Sequence, residues 1–130
     1  MSWYLDSSAI LKLILDEVER PFLLKTLKTK SITSRISRVE VKRTVTRLAP
    51  EHLKLTNLEL EKFDYLPLSS SVLSIAEGFT SKVTLKTLDA LHIASVLALG
   101  TFVDGLITYD RQMIKNAKEL GIKVISPGMK

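Results

Sequence analysis

The apolar positions of the chain fall into two alternating rhythms. Short apolar runs bounded by turn or capping residues occur at 3–5, 31–33, 64–66, 106–108 and 123–125, and each has the length and flanks of a strand. Between them the spacing is helical: Ile10, Leu11, Ile14 and Leu15 form one face, and Val41, Val45 and Leu48 form another. The most regular helix spans 88–99, with Leu91, Ala94, Ser95 and Ala98 on one stripe and Gly100 as a stop signal. Residues 112–120 read as a further helix closed by Gly121. Strands alternating with helices predict an α/β fold, a parallel sheet covered on both faces.

No internal repeat, low-complexity stretch or linker-like run interrupts this pattern, and 130 residues fit one domain. With 45% hydrophobic and 25% charged residues the chain is apolar enough to bury a core. Phe22, Leu23, Leu24 and Leu27 suit core packing and an interface equally well. The N-terminus lacks a signal-peptide layout and no apolar run approaches the roughly 18 residues of a membrane span. The expectation is a cytoplasmic protein with no membrane association.

Composition narrows the chemistry. Cysteine is absent, which removes disulfides, thiolate catalysis and cysteine-ligated zinc together. With only His52 and His92, a histidine-rich metal site is excluded too, so a metal here needs oxygen ligands and Mg²⁺ or Mn²⁺ becomes the natural candidate. The net charge of +5 is unevenly spread. Residues 20–54 hold ten Lys or Arg side chains against Glu40 and Glu51, so the remainder is net acidic. Such a segment suits a polyanion or an acidic protein partner, and a solvated helix face explains it as well.

In an open parallel sheet, ligands bind beyond the carboxyl ends of the strands. Asp6 directly follows the first strand and Asp110 lies two residues beyond the strand ending at Thr108. Glu40 and Asp89 each fall in the first turn of an expected helix. Each acid also has a local structural explanation. Ser37 and Glu40 match a capping box, Asp89 follows a candidate N-cap at Thr87, and Asp6 and Asp110 are themselves credible caps. Taken together the balance shifts, because two carboxylates about 4 Å apart repel by roughly 4 kcal/mol at an effective dielectric near 20. Four of them on one edge call for a divalent cation, which in turn suits phosphodiester hydrolysis.

The segments YLDSS at 4–8, Glu40, TLDALHIA at 87–94 and ITYDRQM at 107–113, in this order and spacing, resemble the PIN-domain family and within it the small VapC-like toxins. The resemblance implies a three-layer α/β/α fold with a mainly parallel sheet of four to five strands. It further implies a metal-dependent endoribonuclease in which Asp6, Glu40, Asp89 and Asp110 hold Mg²⁺ or Mn²⁺ and a water attacks the scissile phosphate in line. Asp6 and Asp89 would be the principal ligands. Ser8 and Thr108 match the family's hydroxyl positions and would orient a carboxylate or a water. Arg35, Arg38, Lys42, Arg43 and Arg47 lie near Glu40 and become candidate RNA-phosphate contacts. The implied partners are an RNA substrate, a VapB-like antitoxin and a second copy of the chain.

Three features sit outside this pattern. Met113 stands where relatives often carry an aromatic residue, Asp104 is read as a turn residue before the fourth strand, and His92, one turn after Asp89, is read as a surface or partly buried histidine. A receiver domain wants paired acids after its first strand, and a haloacid-dehalogenase-type phosphatase wants an acid at position 8, which is Ser8. The remaining rival is an inactive PIN-like module that binds RNA or protein through its basic segment.

Overall fold

The computed structural model describes residues 2–130. Among them five strands form one sheet: β1 (Ser2–Leu5), β2 (Ile32–Ser34), β3 (Asp64–Leu66), β4 (Val103–Ile107) and β5 (Val124–Ile125). The order is β3-β2-β1-β4-β5 and every pairing is parallel. Seven helices fill the crossovers: α1 (Ser7–Ile14), α2 (Arg20–Thr26), α3 (Ile36–Leu48), α4 (Leu53–Leu60), α5 (Ser70–Glu77), α6 (Thr87–Leu99) and α7 (Arg111–Glu119).

Parallel strands alternate their side chains between two covered faces, and β1 shows the consequence in adjacent residues. Leu5 joins Ile107, Ala9, Ile10, Val41 and Val45 in the core beneath α1 and α3. Its neighbour Tyr4 joins Leu106, Ile93, Val96 and Met113 in the core beneath α6 and α7. The molecule is therefore a three-layer α/β/α sandwich. The chain winds outward from β1 to β3, then returns to the other side of β1 to lay down β4 and β5. That reversal makes the carboxyl ends of β1 and β4 the topological switch point, where open α/β sheets form their ligand crevice. The two strands pair there at Leu5 and Ile107.

Several local expectations are corrected. Asp104 is not a turn residue: β4 starts at Val103, which puts Asp104 inside the strand, at the end away from the switch point. Leu48 does not complete an apolar face, since it is 58% exposed at the last residue of α3. In α6 burial runs unbroken from Leu91 to Val96 while Ala98 is exposed, because α5 packs on the helix from outside as the sheet does from inside. A helix enclosed in this way carries no single stripe. In α2 only Leu23 is fully buried; Phe22 and Leu24 are more than half exposed. Met113 fills the second core completely buried. Among the described residues no helix is long and apolar enough to cross a membrane.

Candidate active site

Asp6 leaves β1 at the switch point and caps α1, and its surroundings are fully specified. Its Oδ1 accepts hydrogen bonds from Ser8 Oγ at 2.7 Å and from the Ala9 backbone N–H at 3.1 Å. Its Oδ2 accepts from Thr108 Oγ1 at 2.6 Å. The same two hydroxyls reach further. Thr108 Oγ1 accepts from the Asp110 N–H at 3.2 Å, and Ser8 Oγ accepts from the Tyr109 N–H at 3.0 Å. The loops after β1 and β4 are thus tied together around one carboxylate, which is 2% exposed. Burial pushes the Asp6 carboxyl above its ordinary range, against the opposing pull of His92 and the hydroxyl and amide donors.

Glu40 reaches the same edge from the other side of the crevice. It is the fifth residue of α3, one turn beyond the start, and the capping box does not form. Ser37 is buried and its hydroxyl is engaged with Thr33 Oγ1 at 2.6 Å. Glu40 Oε1 instead meets His92 Nε2 at 2.6 Å, and His92 Nδ1 meets Tyr4 Oη at 2.6 Å. His92 is 0% exposed, which overturns its reading as a surface or partly buried residue. Its spacing from Asp89 was the available signal; the direction in which α6 turns that face was not. Burial alone lowers the basicity of the imidazole, but the Glu40 hydrogen bond and the charges of Asp6, Glu40 and Asp89 outweigh it, and the net shift is upward.

Asp89 is the third residue of α6, and Thr87 lies inside the helix rather than capping it; the N-cap is Lys86, without a side-chain bond. The Asp89 carboxylate is partly buried and has no hydrogen-bond partner among the described residues. Desolvation raises its pKa first, then the charge of Asp110; Asp6 and Glu40 add to the rise and His92 opposes it. Asp110 caps α7 by accepting the Met113 N–H at 3.0 Å through Oδ1.

Among the described residues no three His, Cys, Asp or Glu side chains form a group that could hold an ion as they stand. Glu40 Oε1 is engaged by His92, Asp110 Oδ1 accepts the Met113 N–H, and each oxygen of Asp6 accepts from protein donors. The donor chemistry nevertheless suits a hard divalent cation. Both oxygens of Asp89, Oε2 of Glu40 and Oδ2 of Asp110 remain without hydrogen-bond partners among the described residues. All are oxygen donors, and Asp89 lies in the repulsive field of the other three.

The basic residues divide by position. Lys42, Arg43 and Arg47 line a concavity that also includes Glu40, Ser7 and Leu88. Arg38 instead lies over the Tyr65 ring, 5.4 Å from its centre, with Nη1 donating to Tyr65 Oη at 3.4 Å. Arg35 is exposed at the start of α3 and is not part of the lining.

The sequence profile described as PIN domain matches residues 3–124, nearly the whole chain. The chain belongs to the PIN-domain family. This PIN domain is 38% identical over 126 residues to Ribonuclease VapC46 of Mycobacterium tuberculosis (strain ATCC 25618 / H37Rv), covering 95% of this chain and 96% of the relative. Its fold is shared with a toxin-antitoxin complex from Klebsiella pneumoniae, at a TM-score of 0.79 and 17% identity over 98% of this chain and 99% of that one. It is shared also with Mycobacterium tuberculosis VapC20, described as a Sarcin-Ricin loop cleaving toxin, at a TM-score of 0.72 and 11% identity over 98% and 100% of the two chains.

Proposed function

We propose that this PIN domain is a VapC-type toxin, an endoribonuclease that hydrolyses RNA phosphodiester bonds with Mg²⁺ or Mn²⁺ at the carboxylate edge of its sheet. The observation that carries the reading is the Asp89 carboxylate itself, partly buried and without a hydrogen-bond donor among the described residues; burial and then the charge of Asp110 push its pKa up, Asp6 and Glu40 adding to the rise and His92 opposing it. Concentrated negative charge repels an RNA phosphate unless a cation intervenes. Names of relatives add support, since VapC46 is called a ribonuclease and aligns along nearly all of this chain.

In this reading Asp6 and Asp89 would be the principal holders of the cation, with Glu40 and Asp110 completing the site through the oxygens that have no hydrogen-bond partner among the described residues. A divalent ion there would neutralise the phosphate and render a nearby water nucleophilic. The chain's own residues do the rest. Thr108 and Ser8 keep the Asp6 carboxylate in one orientation. Lys42 and Arg43, beside Glu40 in the same concavity, hold the RNA backbone as its phosphate reaches the acids. Arg35 and Arg38, which do not line that concavity, would add attraction for the RNA backbone. The partners proposed are an RNA substrate, a VapB-like antitoxin that covers the acids and the basic concavity, and a second copy of the chain. The proposed setting is the cytoplasm.

Purified protein should cleave RNA in Mn²⁺ or Mg²⁺ and lose that activity in EDTA, and Asp89→Asn should be inactive with an unchanged circular dichroism spectrum. Cleavage that persists equally in EDTA, or in a folded Asp89→Asn, would contradict the reading.

A further inference from the structure

Tyr4, His92 and Glu40 form a chain of hydrogen bonds that crosses all three layers. Tyr4 belongs to the central strand β1, His92 to α6 on one face, and Glu40 to α3 on the other. Both nitrogens of the buried imidazole are occupied, at 2.6 Å on each side. The Tyr4 ring stands nearly edge-on to it, with centroids 5.9 Å apart and planes at 70°. The imidazole is therefore held at both ends and against one ring.

Glu40 is the member of the four acids with most side-chain freedom to restrain. It has the longest side chain, it projects from a helix on the opposite face from Asp89, and its only hydrogen bond among the described residues is the one to His92. That bond uses Oε1 and leaves Oε2 without a hydrogen-bond partner among the described residues. A buried histidine that merely fills space needs two partners of any kind; here one partner is a carboxylate at the switch point.

We propose that His92 is a positioning residue: anchored by Tyr4, it fixes the Glu40 carboxylate through Oε1 and so leaves Oε2 available to the cation that the acids would take. This inference rests on the cation-dependent reading above. It assigns His92 no contact with RNA or with the reacting atoms, and it makes the hydroxyl of Tyr4 a remote contributor to cation affinity. Groups that orient metal ligands from behind commonly matter almost as much as the ligands themselves.

The test compares wild type, His92→Phe, His92→Gln and Tyr4→Phe by circular dichroism, Mn²⁺ calorimetry and single-turnover RNA cleavage. For a folded His92→Phe, Mn²⁺ affinity and the cleavage rate at saturating RNA should each fall about 10–100-fold while KM for RNA stays within about twofold. His92→Gln, whose amide nitrogen reaches the same carboxylate, should recover most of that loss, which a purely structural role would not produce. A folded His92→Phe that binds Mn²⁺ like wild type overturns the inference. If His92→Phe does not fold, Tyr4→Phe decides, because it keeps the ring and removes only the anchor: weaker Mn²⁺ binding supports the inference and unchanged binding overturns it. Failure of the parent reading looks different, since wild type itself would then bind no Mn²⁺.

Discussion

Thr108 Oγ1 donates to Asp6 Oδ2 at 2.6 Å across 102 residues of sequence, and both groups are buried. The bond exists because β1 and β4 are neighbours at the point where the winding of the sheet reverses. The same hydroxyl accepts the Asp110 N–H, so one side chain sets the position of two of the acids. Stability and site geometry consequently share an atom.

Thr108→Val keeps the shape of the side chain and removes that atom. Loss of a hydrogen bond to a buried charged group should cost about 1.5–3 kcal/mol of folding stability. Urea denaturation measures this, and Thr108→Ser should lie close to wild type. A Thr108→Val protein as stable as wild type, with equal Mn²⁺ affinity, would show that the hydroxyl does not hold Asp6.

The raised pKa of Asp89 fixes a sign for pH dependence. In the unfolded chain this carboxyl ionises near its ordinary value of 3.8, whereas in the folded protein it ionises at higher pH. From 3.8 upward the folded state therefore holds more protons than the unfolded state, and this group's contribution to stability falls as pH rises to the folded pKa. Asn at this position does not titrate. In EDTA, Asp89→Asn should gain stability relative to wild type as pH rises above 3.8, and saturating Mg²⁺ should favour wild type instead. Denaturation curves for both proteins across the pH range check this; a stability difference independent of pH would show that Asp89 feels no repulsion.

Much of this arrangement was legible from spacing. The five apolar runs and the helical segments between them specify the alternation of the fold, and the rule that ligands gather at strand ends brings Asp6 and Asp110 to one edge. Glu40 lies one turn beyond the start of α3 rather than in its first turn, and its partner is His92 rather than the Ser37 backbone. The Ser37-to-Glu40 spacing satisfies a capping box locally, yet Thr33 occupies the Ser37 hydroxyl, a contact between a strand and the following helix that spacing does not reveal. His92 shows the same limit. Its distance from Asp89 along α6 was evident, but its burial depends on α5 covering a helix that is apolar on nearly every side. The misread position of Asp104 is a boundary error, since a Val-Asp-Gly opening looks like a turn while β4 begins there.

Charge predicts how RNA binding responds to salt. Lys42 and Arg43 share the concavity with Glu40, while Arg38 is stacked on Tyr65. For single strands the slope of log affinity against log salt is about 0.7 per neutralised phosphate. Binding measured with the inactive Asp89→Asn protein should therefore lose roughly 1.4 units of slope in the Lys42→Ala/Arg43→Ala double variant if each contacts one phosphate. Arg38→Ala should change the slope little and stability more. An unchanged slope in the double variant would move the RNA path elsewhere.

The central claim is that the acids at the switch point form a seat for a divalent cation. Titrating metal-stripped protein with Mn²⁺ in a calorimeter tests it directly. The account predicts saturable binding by wild type that is abolished in a folded Asp89→Asn protein; wild type that binds no Mn²⁺, or binding indifferent to Asp89→Asn, would contradict it.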